Sequence, residues 1–151
     1  GEIDSQVSKV IKVETVSEME SALKSEIKKQ DTLIMAAAVS DFTVLKSDQK
    51  VSRQDAQSLK LTATPDLLQG ISKDKAEKTY IGFCLTDHDL KETALKKMKV
   101  KNLDYIVANK PNVIGQQKRD ITIYKKDDEA GINLDNASLF DISHKLLGLL
   151  I

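Results

Sequence analysis

The chain has no tryptophan, two prolines, two histidines and a single cysteine, Cys84. One cysteine cannot form an internal disulfide, and with His88 and His144 far apart in the sequence it supplies too few ligands for a zinc cluster. No apolar run approaches the roughly 20 residues of a membrane helix, and the first residues lack the order of a signal peptide. We therefore expect a cytoplasmic protein with no membrane partner.

Neither positive nor negative side chains are in excess. The sequence has 23 lysines and arginines against 23 aspartates and glutamates, so no net field attracts nucleic acid, and any anion site must be local. Its 151 residues, 40 % of them hydrophobic, are enough for one domain with a core of its own. No G-x-G-x-x-G motif follows the first predicted strand, which argues against a Rossmann dehydrogenase.

The apolar pattern of the first half predicts a strand, a helix and a second strand. The alternation in "KVIKVETV", from Val10 to Val16, predicts the first strand, and Ser17 followed by Glu20 predicts the N-cap of a helix. The continuous apolar run "TLIMAAAV" is typical of a strand covered on both faces, so we place it in the centre of the sheet. No period holds from Phe42 to Gln57, which predicts a long loop.

The second half continues the alternation of strands and helices. "SLKLTA" predicts a strand, and "TPDLLQGI" predicts a helix with Thr64 as its cap and Pro65 at its first position. The strands "TYIGFCL" and "LDYIVAN" flank the helix "HDLKETALKKMKVK", and the hairpin "DITIYKKDDEAGINLD" precedes a last helix from Ala137 to about Leu150. We predict an α/β fold, a Rossmann-like three-layer sandwich whose mainly parallel sheet ends in an antiparallel hairpin.

Ligands of such sheets bind beyond the carboxyl ends of the strands. Ser40 and Asp41 follow the second strand, and the small residues Ala36 to Ala38 before them would let a flat ligand approach closely. Asp41 either holds a ligand there or caps a turn, since aspartate is common after strands. Asn109, at the end of "LDYIVAN", also has two interpretations: it is either a polar cap of the strand or a ligand contact.

Two lysines of the third predicted helix lie beside its apolar stripe. At 100° per residue, Lys97 and Lys101 fall at the rim of the stripe, whereas Lys96 faces outward. Like charges four residues apart repel each other unless an anion lies beside them. A phosphate would serve, and the alternative is that both stems cover apolar surface while their ammonium groups reach water.

The remaining reactive side chains have structural interpretations. Cys84 lies between Phe83 and Leu85 in a predicted buried strand, where a thiol is inert. We expect His88 to start a helix and His144 to lie on the last helix, each structural or solvated. No Ser/His/Asp or Cys/His set is present.

Several motifs together resemble a known family. In order and spacing, "MAAAVSDF", a lysine nine positions beyond Asp41, "ATPDLL", "IGFCL", a lysine-rich helix and "LDYIVAN" are similar to the C-terminal two-thirds of phosphopantothenoylcysteine synthetase. The resemblance implies a ligase of coenzyme A biosynthesis that joins 4′-phosphopantothenate to cysteine, using CTP and Mg²⁺ through an acyl-cytidylate intermediate. It further implies a homodimer and a flavin-dependent decarboxylase, either fused upstream or separate.

The resemblance also implies a nucleotide site. Asp41 would help hold the nucleotide, Lys50 would belong to a loop that folds over the triphosphate, and Phe83 would line the base pocket. Ala37, Ala38 and Arg53 are candidates for further contacts to nucleotide or substrate, and so is Asn109 if it does not serve as a polar cap. The positions that match nucleotide-binding residues of the family are Asp41, Lys50, Pro65, Asp66, Leu67, Leu68, Phe83, Lys97 and Lys101. No residue is implied as a resident metal ligand.

The sequence departs from the family in places. Positions 50 to 53 are "KVSR" where members usually have "KIKK", and "GFCLTD" replaces "GFAAET". The glycine-rich turn of the family's N-terminal third has no counterpart, so we expect one synthetase domain over residues 1–151 without that unit, with residues 1–8 a linker or tag. Such a fragment should bind CTP without completing the reaction. The alternative function is a non-catalytic nucleotide-binding α/β module.

Overall fold

The computed structural model describes residues 7–40, 42–44, 61–111 and 116–151. Within these ranges, the elements are α1 Val16–Glu26, β1 Thr32–Met35, β2 Phe42–Val44, β3 Leu61–Ala63, α2 Leu67–Ile71, β4 Thr79–Leu85, α3 Leu90–Val100, β5 Tyr105–Asn109, β6 Lys118–Lys125, β7 Asp128–Ser138 and α4 Leu139–Gly148. A five-stranded sheet has the order β1-β4-β5-β6-β7, and β2 pairs with β3 in a separate two-stranded sheet. Strands β1, β4 and β5 are parallel, whereas β6 and β7 are antiparallel to their neighbours.

Helices cover both faces of the five-stranded sheet, which confirms the predicted three-layer α/β fold. On one face, the buried side chains of β4 and β5 pack against α2 and α3, with α1 at the margin. On the other face, Ile142 and Leu146 of α4 pack against β4 to β7. Strand β4 serves both layers because its side chains alternate, so Tyr80 and Cys84 belong to the first cluster and Ile81 to the second.

The predicted first strand is wrong. Residues 7–13 form no helix or strand, and Val10, Ile11 and Val13 are exposed. Alternation of apolar residues becomes a strand only where a neighbouring strand completes the hydrogen-bond ladder, and no such neighbour lies beside this segment in the described ranges.

The N-cap of α1 is Thr15 rather than the predicted Ser17. The Thr15 hydroxyl accepts a hydrogen bond from the backbone N–H of Glu18 at 3.2 Å, and the Glu18 carboxylate accepts one from the Glu14 N–H at 2.8 Å. Thr15 and Glu18 have the same spacing as Ser17 and Glu20, so the capping signal was present in the sequence two residues earlier.

The strand predicted to be central lies at the edge of the sheet as described. Strand β1 spans only Thr32–Met35 and pairs with β4, and Ile34 on it is 43 % exposed. Ala36 to Ala38 come after the strand and are exposed. The predicted loop also needs correction at its start, because Phe42–Val44 forms β2 and pairs with β3. The rest of that loop lies outside the described residues.

The boundaries of the last two helices also differ from the prediction. Helix α3 begins at Leu90, so His88 precedes it. Helix α4 begins at Leu139 because Ala137 and Ser138 complete β7, and Ser138 forms a capping box with Asp141. The predicted apolar stripe of α3 is confirmed, since Ala94 and Met98 are buried.

A charged network joins the amino ends of β4 and β5. The buried Lys75 ammonium lies 2.6 Å from the Asp104 carboxylate and donates to the Asn102 carbonyl at 2.8 Å. The same Asp104 oxygen accepts from the backbone N–H of Tyr80 at 2.6 Å. Because the ammonium has two acceptors, one of them charged, its burial is compensated. We name this group of Lys75, Tyr80, Asn102 and Asp104 the amino-edge network.

Candidate functional site

A cavity of about 280 Å³ opens at the carboxyl ends of β1 and β4. The segment after β1 forms one wall, the turn from β3 into α2 forms a second, and one side of α3 forms a third. This is where parallel sheets place their ligands. The lining residues are Met35, Ala37, Ala38, Val39, Ser40, Thr64, Pro65, Asp66, Leu67, Leu68, Phe83, Lys97 and Lys101.

The wall after β1 is made of small side chains that end at a fixed turn. Ala37 and Ala38 line the cavity and are exposed, so the backbone there is open to close approach. The Ser40 hydroxyl donates to the carbonyl of Phe42 at 2.8 Å and accepts from its N–H at 3.4 Å, which fixes the turn into β2. Asp41, the acid predicted to act at this point, lies outside the described residues.

Asp66, not Thr64, is the N-cap of the helix in the second wall. The Asp66 carboxylate accepts from the Gln69 N–H at 3.1 Å, and α2 begins at Leu67. The prediction failed because Pro65 stands before the helix instead of at its first position. Leu67 and Leu68 are buried and anchor the short helix to the sheet.

Phe83 and Lys97 form the floor of the cavity. Phe83 is half-buried and packs against the core under α4 as well as lining the cavity. Its carbonyl accepts from the Lys97 ammonium at 2.8 Å. An ammonium group has three N–H donors, so this contact leaves Lys97 with two more for other acceptors.

Lys101 forms an ion pair inside the cavity. Its ammonium lies 2.8 Å from the Asp66 carboxylate, and both side chains keep some solvent exposure. Burial raises the pKa of Asp66, but hydrogen bonds from Lys101 and from the Gln69 and Leu68 backbone outweigh it, and the net pKa lies below its usual value. The sequence argument required an anion beside Lys97 and Lys101, and the protein itself places the Asp66 carboxylate beside Lys101 and the Phe83 carbonyl beside Lys97. That a phosphate also lies beside them stays a prediction.

The structure thus brings most of the predicted site residues together. Ala37, Ala38, Phe83 and both lysines line one cavity with the four consecutive residues 65–68. Asn109 does not line it, and its side-chain amide donates to the Lys110 carbonyl at 3.4 Å. Lys50 and Arg53 lie outside the described residues, as Asp41 does. That the cavity binds a nucleotide stays a prediction.

Several lining residues were not singled out from the sequence. Met35 and Val39 flank the alanines, and Thr64 was assigned only a capping role, whereas Ser40 was placed at the strand end without being counted among the ligand contacts. Their position in the sequence could have identified them, because residues next to the end of a predicted strand lie at the same edge of the sheet. Their side chains carry no charge, which is why a search for acids and lysines passed over them.

Side chains with other reactive chemistry are outside the cavity lining. Cys84 is buried as predicted, and burial raises the pKa of its thiol. His88 is exposed beside Asp87, and His144 is exposed on α4 and stacks on Phe140 with ring centroids 6.0 Å apart. Within the ranges that the structure describes, no three His, Cys, Asp or Glu side chains are grouped as a metal site would require, and no helix has the length and apolarity to span a membrane.

Comparison with known proteins places this arrangement among relatives. Residues 2–151 match the protein family described as DNA/pantothenate metabolism flavoprotein C-terminal domain. The coenzyme A biosynthesis bifunctional protein CoaBC of Bacillus subtilis (strain 168) is 33 % identical over 147 residues, covering 93 % of this chain and 36 % of that protein. A CoaBC protein of Thermococcus kodakarensis is 32 % identical over 132 residues, covering 83 % of this chain and 33 % of that protein.

A solved structure extends the similarity to three dimensions. The crystal structure of the C-terminal domain of a coenzyme A biosynthesis bifunctional protein CoaBC aligns with a TM-score of 0.75 and 25 % identity, covering 93 % of this chain and 63 % of that one. The chain therefore spans 33 % to 36 % of the length of the two curated relatives and less than two thirds of the solved structure.

Proposed function

The chain belongs to the DNA/pantothenate metabolism flavoprotein C-terminal domain family, and from this we propose that it is the nucleotide-binding part of a phosphopantothenate–cysteine ligase of coenzyme A biosynthesis. The two coenzyme A biosynthesis proteins described above, from Bacillus subtilis and Thermococcus kodakarensis, are 33 % and 32 % identical to it over most of its length. In this proposal the nucleotide is CTP, and the reaction passes through an acyl-cytidylate.

The observation that carries the proposal is the composition of the cavity. One part offers apolar and small side chains, among them Ala37, Pro65 and Phe83, which suit a flat ring. The other part offers the ammonium groups of Lys97 and Lys101, which suit phosphate oxygens. Both parts lie at the strand ends where α/β sheets bind nucleotides. A nucleotide has both kinds of surface joined in one molecule.

The two lysines fit the chemistry of the proposed reaction. In its first half, a carboxylate oxygen of 4′-phosphopantothenate attacks the α-phosphorus of CTP and pyrophosphate leaves. In its second half, the amine of cysteine attacks the mixed anhydride, loses a proton and expels CMP. Neither half needs a side-chain nucleophile, but both build up charge on phosphate oxygens, which positioned cations stabilise. Lys97 is held in place by the Phe83 carbonyl and still has two N–H donors to offer.

Magnesium fits this cavity as part of the nucleotide substrate. Mg²⁺ is usually bound through phosphate oxygens, waters and one or two carboxylates. Asp66 is the carboxylate among the described lining residues, and it is already paired with Lys101. We therefore propose that Mg²⁺ enters with CTP, neutralising part of the triphosphate charge, while Lys97 and Lys101 orient the phosphates. We also propose a homodimer and a flavin-dependent decarboxylase as fused or separate partner, in a cytoplasmic setting.

Calorimetry combined with NMR tests the proposal. The chain is titrated with Mg²⁺ and CTP, and separately with Mg²⁺ and ATP, and amide shifts are followed on a uniformly labelled sample. We expect CTP to bind more tightly and to shift the amides of Ala37, Phe83 and Lys97. The β6–β7 hairpin, which is remote from the cavity lining, is the internal control.

The possible failures are distinct. Equal or tighter binding of ATP would refute the base preference alone. No binding of either nucleotide, or shifts confined to the hairpin, would refute the assignment of the cavity.

A further inference from the structure

Thr64 is one of the residues that line the cavity. Its hydroxyl oxygen is buried, and among the residues that the structure describes no group forms a hydrogen bond with it. Leaving a buried hydroxyl unpaired costs about 1 to 3 kcal/mol, so such groups are uncommon in native proteins. The Tyr80 hydroxyl and the Arg119 Nε are in the same condition, but neither lines the cavity.

The local sequence explains why the next two residues, Pro65 and Asp66, do not supply a partner. A threonine before a helix normally accepts from the first backbone N–H groups, but the Asp66 carboxylate has taken that role by accepting from Gln69. The residue that follows Thr64 is Pro65, which has no N–H to donate. Thr64 is therefore released from capping while it stays at the cavity wall.

We propose that Thr64 is a specificity-determining residue: its hydroxyl, buried in the free protein, turns toward the cavity by rotation about the Cα–Cβ bond and forms a hydrogen bond with an uncharged polar group of the bound nucleotide, on the base or the ribose. This inference rests on the proposed function. The cations of the cavity, Lys97 and Lys101, are suited to the phosphates, whereas a hydroxyl both donates and accepts and so suits a neutral polar edge. A hydroxyl that is paired only in the complex contributes to affinity without contributing to the stability of the free protein.

The test compares Thr64→Val, which replaces the hydroxyl by a methyl group of similar size, with Thr64→Ser, which keeps it. Thr62→Val is the matched control, because Thr62 is exposed on β3, two residues away, and does not line the cavity. For each variant, calorimetry gives the Kd for CTP with Mg²⁺ and for inorganic triphosphate. Thermal unfolding gives the Tm without ligand.

We expect Thr64→Val to weaken CTP binding about three- to tenfold, the scale of one hydrogen bond, and to leave binding of inorganic triphosphate unchanged. Its Tm without ligand should equal or exceed that of the unmodified chain, since an unpaired buried polar group has been removed. Thr64→Ser should retain CTP affinity within about twofold, and Thr62→Val should behave like the unmodified chain. Repeating the comparison with 2′,3′-dideoxyCTP assigns the contact: a Thr64→Val effect that persists places it on the base, and one that vanishes places it on the ribose.

Two results would overturn the inference. If Thr64→Val binds CTP as the unmodified chain does, or loses affinity for CTP and inorganic triphosphate equally, the hydroxyl does not read a neutral group. If Thr64→Val fails to fold, Thr64→Ala is judged by the same criteria. Absence of CTP binding by the unmodified chain would overturn the proposed function and this inference with it, so the two failures are distinguishable.

Discussion

Replacing Lys97 and Lys101 with methionine, one at a time, should show how much each ammonium group contributes to nucleotide affinity. Methionine removes the ammonium group but keeps an unbranched apolar stem, so the packing of the side-chain stem is largely retained. Lys96→Met is the matched control, because Lys96 is exposed on the same helix and does not line the cavity.

The expected losses of nucleotide affinity differ because the two lysines have different partners in the free protein. A charge-assisted hydrogen bond to phosphate contributes about 1.5 to 3 kcal/mol. Lys97 can keep its bond to the Phe83 carbonyl while it contacts phosphate, so Lys97→Met should lose that full amount, about 10- to 150-fold in Kd. Lys101 must first give up Asp66, a partly exposed ion pair that contributes about 0 to 1 kcal/mol. Subtracting about 0.5 kcal/mol, the middle of that range, leaves an expected loss for Lys101→Met of about 1 to 2.5 kcal/mol in binding free energy, or about 5- to 70-fold in Kd.

The stability of the free protein gives a second, independent measurement. Lys97→Met leaves the Phe83 carbonyl without its side-chain donor and should lower the free energy of unfolding by about 1 kcal/mol. Lys101→Met leaves Asp66 in contact with water and should change the Tm little. Calorimetry with CTP and Mg²⁺ and a denaturant titration measure the two effects. Equal losses of affinity at Lys96, Lys97 and Lys101 would refute the reasoning, since they would reflect overall charge and no specific contact.

Three other perturbations have expected outcomes. Gly82→Ala should lower the Tm markedly, because a Cβ at that position would lie 2.5 Å from a methyl group of Leu103, which is itself buried; an unchanged Tm would mean that Leu103 can move aside. Cys84 should react with a thiol reagent at pH 8 only as fast as the protein unfolds, because it is buried and its thiol pKa is raised; rapid labelling of folded protein would contradict this. The pKa values of Asp66 and Asp141 are lowered in the folded protein. Their contribution to the free energy of unfolding is therefore complete above the pKa of about 4 that they have in the unfolded chain, and it is lost as pH falls through their lower pKa values in the folded protein. Denaturant titrations should accordingly show stability falling below about pH 4, and the fall should shrink in a variant carrying Asp66→Asn and Asp141→Asn.

The elements that could be predicted from the sequence are those whose pattern is local and which pack against elements adjacent to them in the sequence. Strands β4 and β5 are runs of apolar residues, and α3 between them has a regular stripe, so their type and order followed directly. The cavity could be located because the ends of parallel strands meet at one edge of the sheet. Lys97 was identified from the helical stripe, whereas the binding roles of Phe83 and of the turn at Pro65 came from motif resemblance.

The errors came from interactions that a linear pattern does not contain. The alternation from Val10 to Val16 is as regular as that of a strand, yet it has no partner strand in the described part of the chain. The two lysines were placed correctly beside the apolar stripe, but their partners, the Phe83 carbonyl and Asp66, are brought near only by tertiary packing. A capping signal repeated two residues apart, at Thr15 and Ser17, could not be resolved without the backbone geometry.

The amino-edge network has a consequence for how this protein can change over evolution. Lys75 and Asp104 hold β4 and β5 together at the end of the sheet opposite to the cavity. Substitutions that reshape the cavity therefore leave this anchoring intact, so its contribution remains available within the narrow stability margin of evolving proteins. A lineage can then explore new ligand preferences at one end of the strands while the other end preserves the fold. Loss of Lys75 would remove that tolerance, because the same cavity substitutions would then act on a weakened scaffold.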